Sequence, residues 1–429
     1  MSKVQTFLEE RIAPFAGRIG QVKQLVAIRD GISYIMPLII IGSIALILNS
    51  LPIEAAWYQN FMNEGGWAER LGLIVNGTFG LIGLLAAFTI AYSLANQYSL
   101  DGMSVGILSL SAYMLSTPNI FTAENAAGIP LALMGSKGLF VAIVIAIIST
   151  EIFRFVIKKN LVITLPDGVP PAVGRSFTAL IPGFFIIVFF AAISWILAAT
   201  GIGSLHDLVQ TVLGKPLGML GGTIFGAIIY DLLISVFWLT GIHGGNIMGG
   251  IMNPIWMQKM DENRLALQAG QELPNIFTQP FFDVFVHMGG AGTVFALAVC
   301  LFLFSKSQQN KSIGRLSITP AAFNIGEPLM FGVPVVLNPI MFIPFILAPI
   351  AMVVLTYFAM ATGLVPKTNG VSVPWTMPPV ISGYLATSSL RGSIMQLVNL
   401  AVSVLIYYPF FRAMDKQFIL EEKKGEAQA

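Results

Sequence analysis

Long apolar runs, separated by short polar or glycine- and proline-rich pieces, set the organisation of this chain. A helix needs about 20 consecutive apolar residues to cross the hydrocarbon of a bilayer. By that measure the pattern predicts spans at 31–51, 78–97, 102–117, 138–157 and 177–197, of which 102–117 is short. A second set follows at 219–239, 281–304, 339–362 and 395–411. Between the sets, Leu205, Leu208, Val209, Val212 and Leu213 share one helical face, and His206, Asp207, Gln210 and Lys215 lie off it. That alternation predicts an amphipathic helix in the membrane interface, with His206 on its polar side. The chain therefore reads as a scaffold over 1–203, an interfacial linker over 204–218 and a more polar half over 219–429. Ahead of the first span, Leu8, Ile12 and Phe15 recur at helical spacing among Lys3, Arg11, Arg18, Lys23 and Arg29, as in a short surface helix.

Charge placement orients these elements. Arg154, Lys158, Lys159 and Arg175 cluster after the fourth span, Lys306, Lys311 and Arg315 after 281–304, and Arg412, Lys416, Lys423 and Lys424 near the end. Basic residues favour the cytoplasmic side, which puts both termini there in a multi-pass protein. The count then strains. If Lys306 and the linker face opposite sides, an odd number of crossings must lie between them, and only two are evident. Either a crossing hides in 241–280 or Lys306 is on the other side.

Composition agrees with the pattern. The chain has 429 residues, 55% hydrophobic and 10% charged, against about 25% charged in soluble domains. It reads as an all-α integral membrane protein. A formal net charge of +2 gives no reason to expect nucleic acid. Three histidines and one cysteine exclude a zinc cluster with several Cys ligands and any disulfide within the chain. No metal or cofactor is expected, and no cleavable signal is evident, because charged amphipathic sequence precedes the first apolar run.

One tract breaks the apolar pattern most sharply: residues 324–338, N-I-G-E-P-L-M-F-G-V-P-V-V-L-N. Gly326, Pro328, Gly332 and Pro334 cannot continue a regular helix, and broken backbone survives in a bilayer only inside protein or beside water. Glu327 at its centre costs roughly 2.5 kcal/mol or more to place at membrane depth, so a structural ion pair or a substrate-facing tip are the two readings. Interrupted apolar segments at 241–257 and 323–338 are the best sequence pointer to a transport site. A sugar site needs groups that count hydroxyls and a flat apolar face. Glu327 and Asn324, three residues apart, supply the first. Trp375, set between Pro374 and Pro379, supplies the second. Glu327 is expected to be buried. Trp238 reads as an interfacial anchor, and His287 as a packing residue. Asp231 and Asp283 should pair within the second half. Lys137 either snorkels to the interface or reaches a sugar from the scaffold. His243, flanked by glycines, is either a satisfied structural group or one that meets a ligand.

The 326–339 segment G-E-P-L-M-F-G-V-P-V-V-L-N-P resembles the signature of component C, the membrane subunit of the bacterial phosphoenolpyruvate-dependent sugar phosphotransferase system. Its branch is the lactose/cellobiose/N,N'-diacetylchitobiose one. F-W-L-T-G-I-H-G at 237–244, V-P-W-T-M-P-P at 373–379 and P-D-G-V-P-P-A-V at 166–173 resemble the same branch, and the resemblance covers nearly the whole chain. It implies about ten transmembrane helices, two re-entrant hairpins and interfacial helices, arranged as a homodimer in the bacterial cytoplasmic membrane. It implies transport of a β-linked disaccharide, N,N'-diacetylchitobiose or cellobiose, with phosphorylation of the 6-hydroxyl by a phosphocysteine on a separate component B, itself served by component A. The subunit would then be part of a phosphotransferase enzyme. Substrate-binding residues would be Glu327, His243, Asn324, Trp375 and Lys137, with Glu327 and His243 also candidate catalytic groups sharing the hydroxyl proton. The alternative from the residues alone is an ion-coupled disaccharide permease using Glu327 or Asp231 as proton carrier.

Overall fold

The computed structural model describes residues 6–426 except 50–54, 122–125, 167, 334, 336 and 337; Lys3, Asp167 and Pro334, singled out above, lie outside the described residues. The described chain is almost wholly helical. Its one sheet is a two-residue antiparallel ladder pairing Ile120 with Gly128 and Phe121 with Ala127. Among the described residues six helices are long and apolar enough to cross a membrane, or up to eight if two bent helix pairs each count as one span. The chain forms two compact units. One comprises Gln21–Met219 with Gly250–Gln258, and the other Met1–Gly20, Leu220–Gly249 and Lys259–Ala429.

The first unit packs the helices Lys23–Asn49, Trp67–Thr78, Ile82–Gln97, Gly102–Ser116, Leu139–Lys158 and Pro171–Thr200. The helix Ile82–Gln97 is its core, because Gly83, Ala86, Ala87, Ile90, Ala91, Leu94 and Ala95 are all buried. In lipid, apolar surface gains little by leaving the tails, so close contact between backbones across small residues takes over as the cohesive force. Gly31 shows how close: a Cβ there would sit 2.6 Å from Ile90 Cγ1 and 2.7 Å from its backbone N and Cα. Ser109 Oγ donates across to the Ala87 carbonyl at 2.7 Å. By contrast Pro171–Thr200 leaves Leu180, Phe184, Trp195 and Ile196 exposed, as suits a lipid-facing helix.

The 204–217 segment begins as expected and then departs from the pattern. Ser204 caps it with a capping box through Asp207. The helix widens to a π-turn at Gln210–Gly214 before resuming at Lys215–Gly221. The wider turn rotates the later side chains, so Val212 and Leu213 are exposed, while His206 is only 4% exposed. His206 Nε2 lies 3.0 Å from Thr117 Oγ1, and its ring meets the Tyr113 ring edge-on at 5.4 Å between centroids. The histidine expected on the polar side is thus the buried anchor. The outward apolar residues are what a helix lying against lipid requires.

The second unit contains a backbone that is repeatedly interrupted. Phe281–Val286 is a π-turn, glycines 289, 290 and 292 have positive φ, and regular helix resumes only at Phe295–Phe304. The two pieces are bent by 64°. Their loose backbone groups are met from the long helix Leu390–Glu426. Gln396 Nε2 donates to the Val284 carbonyl at 2.8 Å, Asn399 Nδ2 to that of Phe285 at 2.9 Å, and Tyr407 OH to that of Gly292 at 2.6 Å. Further along, Asp415 accepts from Ser305 Oγ, the Lys306 and Ser307 amides and Asn310 Nδ2. The region 241–280, where a crossing was sought, holds a single helix, Gly244–Gln268, with Pro254 inside it.

Gly31 and Gly72 give a matched test of small-residue packing. Alanine normally gains about 1 kcal/mol over glycine in a helix, but at Gly31 its methyl meets backbone that cannot move aside, and such overpacking typically costs ~1–3 kcal/mol. Gly31→Ala is expected to lower the thermal midpoint of purified protein. Gly72→Ala, with nothing within 4 Å of its Cβ, is expected to hold or raise it. Equal midpoints would show that the 31–90 contact does not limit stability.

Candidate functional site

The site is built around Asn324. The helix Gln308–Ala322 ends at Pro320–Phe323, and Asn324 takes a left-handed φ of 61° that turns the chain sharply. Asparagine tolerates this conformation better than most residues, since its short amide can bond locally. Here the amide bonds at longer range. Asn324 Oδ1 accepts from the Gly289 amide at 2.7 Å, and Nδ2 donates to the Trp375 carbonyl. One side chain therefore ties the glycine turn of the broken span to the tryptophan segment.

Gly326 lets this closure happen, because a Cβ there would lie 2.5 Å from the Gly289 carbonyl oxygen. Glu327 follows at the start of a short helix, Glu327–Gly332, with Pro328 in its first turn. Leu329 and Met330 bury that helix on one side, and Glu327 and Pro328 are exposed on the other. Glu327 was expected to be buried. It is instead open, because the helix's packed face begins only two residues later. Trp375 is 52% exposed, its segment turned by a Met377 amide to Pro374 carbonyl bond of 2.8 Å.

The tryptophan segment is held under strain at its far end. Val380 has φ 76°, unusual for a β-branched residue. Its amide donates to Gln396 Oε1 at 2.7 Å, and Ser393 Oγ donates to its carbonyl at 2.6 Å. Gln396 therefore serves both the π-turn and the Trp375 segment. Sequence reading did not single out Gln396, Asn399 or Tyr407. The signal was their spacing of three and eight residues along one stripe of an apolar helix.

His243 caps the helix Gly244–Gln268, its Nδ1 accepting from the Asn246 amide at 3.1 Å. Gly244 lies directly on the preceding helix: its Cβ would stand 2.3 Å from the Ile234 carbonyl oxygen. The imidazole is exposed and packs on the Trp238 ring at 4.5 Å between centroids. Trp238, expected as an interfacial anchor, is buried. Asp231, whose partner the sequence left unnamed, meets His287 at 2.6 Å between Oδ1 and Nε2, and Asp283 is hydrogen-bonded by Gln279. Lys137 is exposed in the turn Ser136–Gly138 of the other unit.

The arrangement offers an open indole face, an open carboxylate and an open imidazole on broken backbone, which suits a polyhydroxyl ligand. The description "Phosphotransferase system, EIIC" matches residues 29–349. The chain belongs to that family. It is 51% identical over 439 residues to the lichenan permease IIC component of Bacillus subtilis (strain 168), covering 99% of this chain and 97% of that one. It is 49% identical over 437 residues to the cellobiose-specific EIIC component of Geobacillus stearothermophilus, with coverage of 99% and 97%. The crystal structure of the transporter ChbC, the IIC component from the N,N'-diacetylchitobiose-specific phosphotransferase system, is similar at a TM-score of 0.93 and 47% identity, covering 97% of this chain and 99% of that one. The chain is thus a multi-pass membrane subunit of a sugar phosphotransferase system, working with a sugar and with IIA and IIB components. A carrier of unmodified sugar is set aside.

The two roles of Asn324 separate by mutation. Asn324→Gly keeps the left-handed backbone and loses both side-chain bonds. Asn324→Ala loses the bonds and adds a left-handed penalty of about 1–2 kcal/mol. Thermal midpoints are expected to fall in the order native, glycine, alanine. Identical glycine and alanine midpoints would show that the backbone at this turn relaxes.

Proposed function

We propose that this EIIC subunit carries a β-linked disaccharide across the cytoplasmic membrane and presents its 6-hydroxyl to a phosphocysteine on component B. N,N'-Diacetylchitobiose is the first choice and cellobiose the second, following the names of relatives matched over nearly the whole chain. The observation that carries the reading is the Asn324 clamp, which sets the exposed Trp375 indole beside the turn that opens into Glu327. An indole of that exposure is a surface for a pyranose ring, and a carboxylate accepts from paired hydroxyls. His243, exposed and packed on Trp238 with its Nδ1 accepting from the Asn246 amide, is the further polar candidate. Lys137 takes no part in this reading.

The wider architecture we propose is ten crossings with two re-entrant segments, both termini cytoplasmic, in a homodimer. Residues 1–203 act as scaffold, 204–218 as the interfacial linker and 219–429 as the sugar-carrying domain. The helix Gly244–Gln268 supplies the additional crossing that the placement of basic residues requires. Its low overall apolarity is tolerable where a helix is enclosed by protein.

Glu327 and His243 act on this reading first as ligands. The sugar hydroxyl needs its proton shared before it attacks phosphorus, yet phosphoryl transfer depends mostly on positioning. Vesicles bearing the protein, given labelled diacetylchitobiose, cellobiose and lactose, should accumulate sugar 6-phosphate only with the soluble phosphotransfer proteins and phosphoenolpyruvate. Diacetylchitobiose should lead. Uptake of a monosaccharide equal to that of the disaccharides would undo the substrate assignment. Glu327→Gln and His243→Ala should weaken binding while bound sugar is still phosphorylated at near-native rate. Retained binding with a fall in phosphorylation of ~10²–10⁴-fold would make them proton-transfer groups instead.

A further inference from the structure

We infer that Asp231 and His287 are a positioning pair that fixes the two groups of sugar ligands relative to each other, an inference that rests on the site proposed above. Asp231 lies within the helix Ile224–Leu239 and its side chain is 1% exposed; that of His287 is 15% exposed. Oδ1 meets His287 Nε2 at 2.6 Å, while Oδ2 is buried with no hydrogen-bond partner among the described residues. The rings of Tyr230 and Phe282 flank the imidazole at 6.1 and 6.2 Å between centroids, and the Asp283 carboxylate is the other charge close enough to act on it. Two helices in lipid can pack on apolar side chains alone, so a buried ionisable pair is an expensive way merely to join them. What the pair adds is direction.

Each partner leads to one side of the site. On the Asp231 side, the same helix ends in Trp238, which carries the His243 ring, and its Ile234 backbone, three residues past Asp231, is the surface on which Gly244 rests. On the His287 side, the His287 carbonyl accepts from the Gly290 amide at 2.9 Å, and the Gly289 amide next to it donates to Asn324 Oδ1 at 2.7 Å. Asn324 in turn holds Trp375 and, through Gly326, the start of the Glu327 helix. The glycines at 289 and 290 have no side chains to fix them, with φ of 84° and 94°. The imidazole two residues earlier is the anchored group from which their geometry is set. Asp231 touches no sugar on this account; it acts through His287 and the turn.

The test is equilibrium binding of labelled diacetylchitobiose to the purified full-length protein, with thermal midpoint and monodispersity measured on every variant. Asp231→Asn keeps the shape and removes the charge, and should weaken binding about tenfold, the size of coupling usual between residues of one network. Phosphorylation of sugar once bound should stay near native. His287→Gln keeps a donor for Asp231 and should bind better than His287→Ala. Added to Asn324→Ala, which already cuts the connection, Asp231→Asn should cost little more. Native-like binding by a folded Asp231→Asn, or a full additive loss on top of Asn324→Ala, overturns the positioning role. If Asp231→Asn does not fold, His287→Gln and His287→Ala enter the same cycle with Asn324→Ala, and native-like binding or full additivity there overturns the role equally. Native binding by Asn324→Ala, Glu327→Gln and His243→Ala together overturns the site itself, and this inference with it.

Discussion

Unpaired backbone at membrane depth is the constraint on which the second unit depends. Each amide or carbonyl left without a partner in hydrocarbon costs several kcal/mol, and the stretch from Phe281 to Phe304 leaves many of them loose. The answer is a stripe of polar side chains on one helix. Gln396, Asn399 and Tyr407 lie at intervals of three and eight residues, near one face at 3.6 residues per turn, and Asp415 follows eight residues later, about 80° further round the helix. Each bonds backbone of the interrupted segment or of the corner that follows it. Ser403 sits on the same stripe and meets Met352. The long helix thus acts as a splint, and the irregular backbone it supports is where the candidate ligands stand.

How much of this was legible follows from what each signal measures. Spans such as Leu139–Lys158 and Pro339–Ala361 fall within a residue or two of expectation, because hydropathy reports transfer from water to lipid and little else. The helix Gly244–Gln268 was missed for the same reason. Its glycines, Pro254 and charged end depress apolarity, yet the helix continues through them. Asn324 and Trp375 were legible as chemistry, yet their direct bond was not, since 51 residues separate them. The polar stripe was legible in principle. It went unread because single amides in a long apolar helix look like isolated exceptions until read at helical spacing. The burial of His206 was not legible at all. Its partners, Thr117 and the Tyr113 ring, lie about ninety residues earlier in the chain, beyond the reach of a local helical pattern.

The two units solve cohesion differently. In the first, glycine and alanine let helices touch through backbone, which gives dense packing with few polar groups to satisfy. The exceptions cluster at one end, where Glu151 accepts from Tyr98 and pairs with Arg154, whose guanidinium lies over the Tyr98 ring at 4.0 Å. Such packing has one good arrangement and resists deformation. In the second unit cohesion comes from directional bonds between side chains and irregular backbone. Bonds of that kind can be exchanged for others at small net change in free energy, so long as every group finds a partner afterwards.

Backbone strain is distributed in the same way, and this bears on why the site stands where it does. Of the residues other than glycine with positive φ, Ser99 and Asn160 simply follow helix ends in the first unit, where the turn itself explains them. In the second unit Ser388 likewise follows a helix end, while Thr293, Asn324 and Val380 belong to the broken span, the clamp and the tryptophan segment. Such conformations cost on the order of 1–3 kcal/mol each and persist only where their surroundings over-determine them. Here the surroundings are identifiable. Thr293 Oγ1 donates to the Val286 carbonyl at 2.8 Å, Asn324 is fixed through both ends of its amide, and Val380 is held by Gln396 and Ser393. A backbone kept strained by side-chain bonds is one whose alternative is close in energy, because losing a few bonds releases the strain that opposed them. A fixed scaffold gains nothing from that balance. A domain that held a sugar in one place and let it go in another, the role proposed above for residues 219–429, would require it.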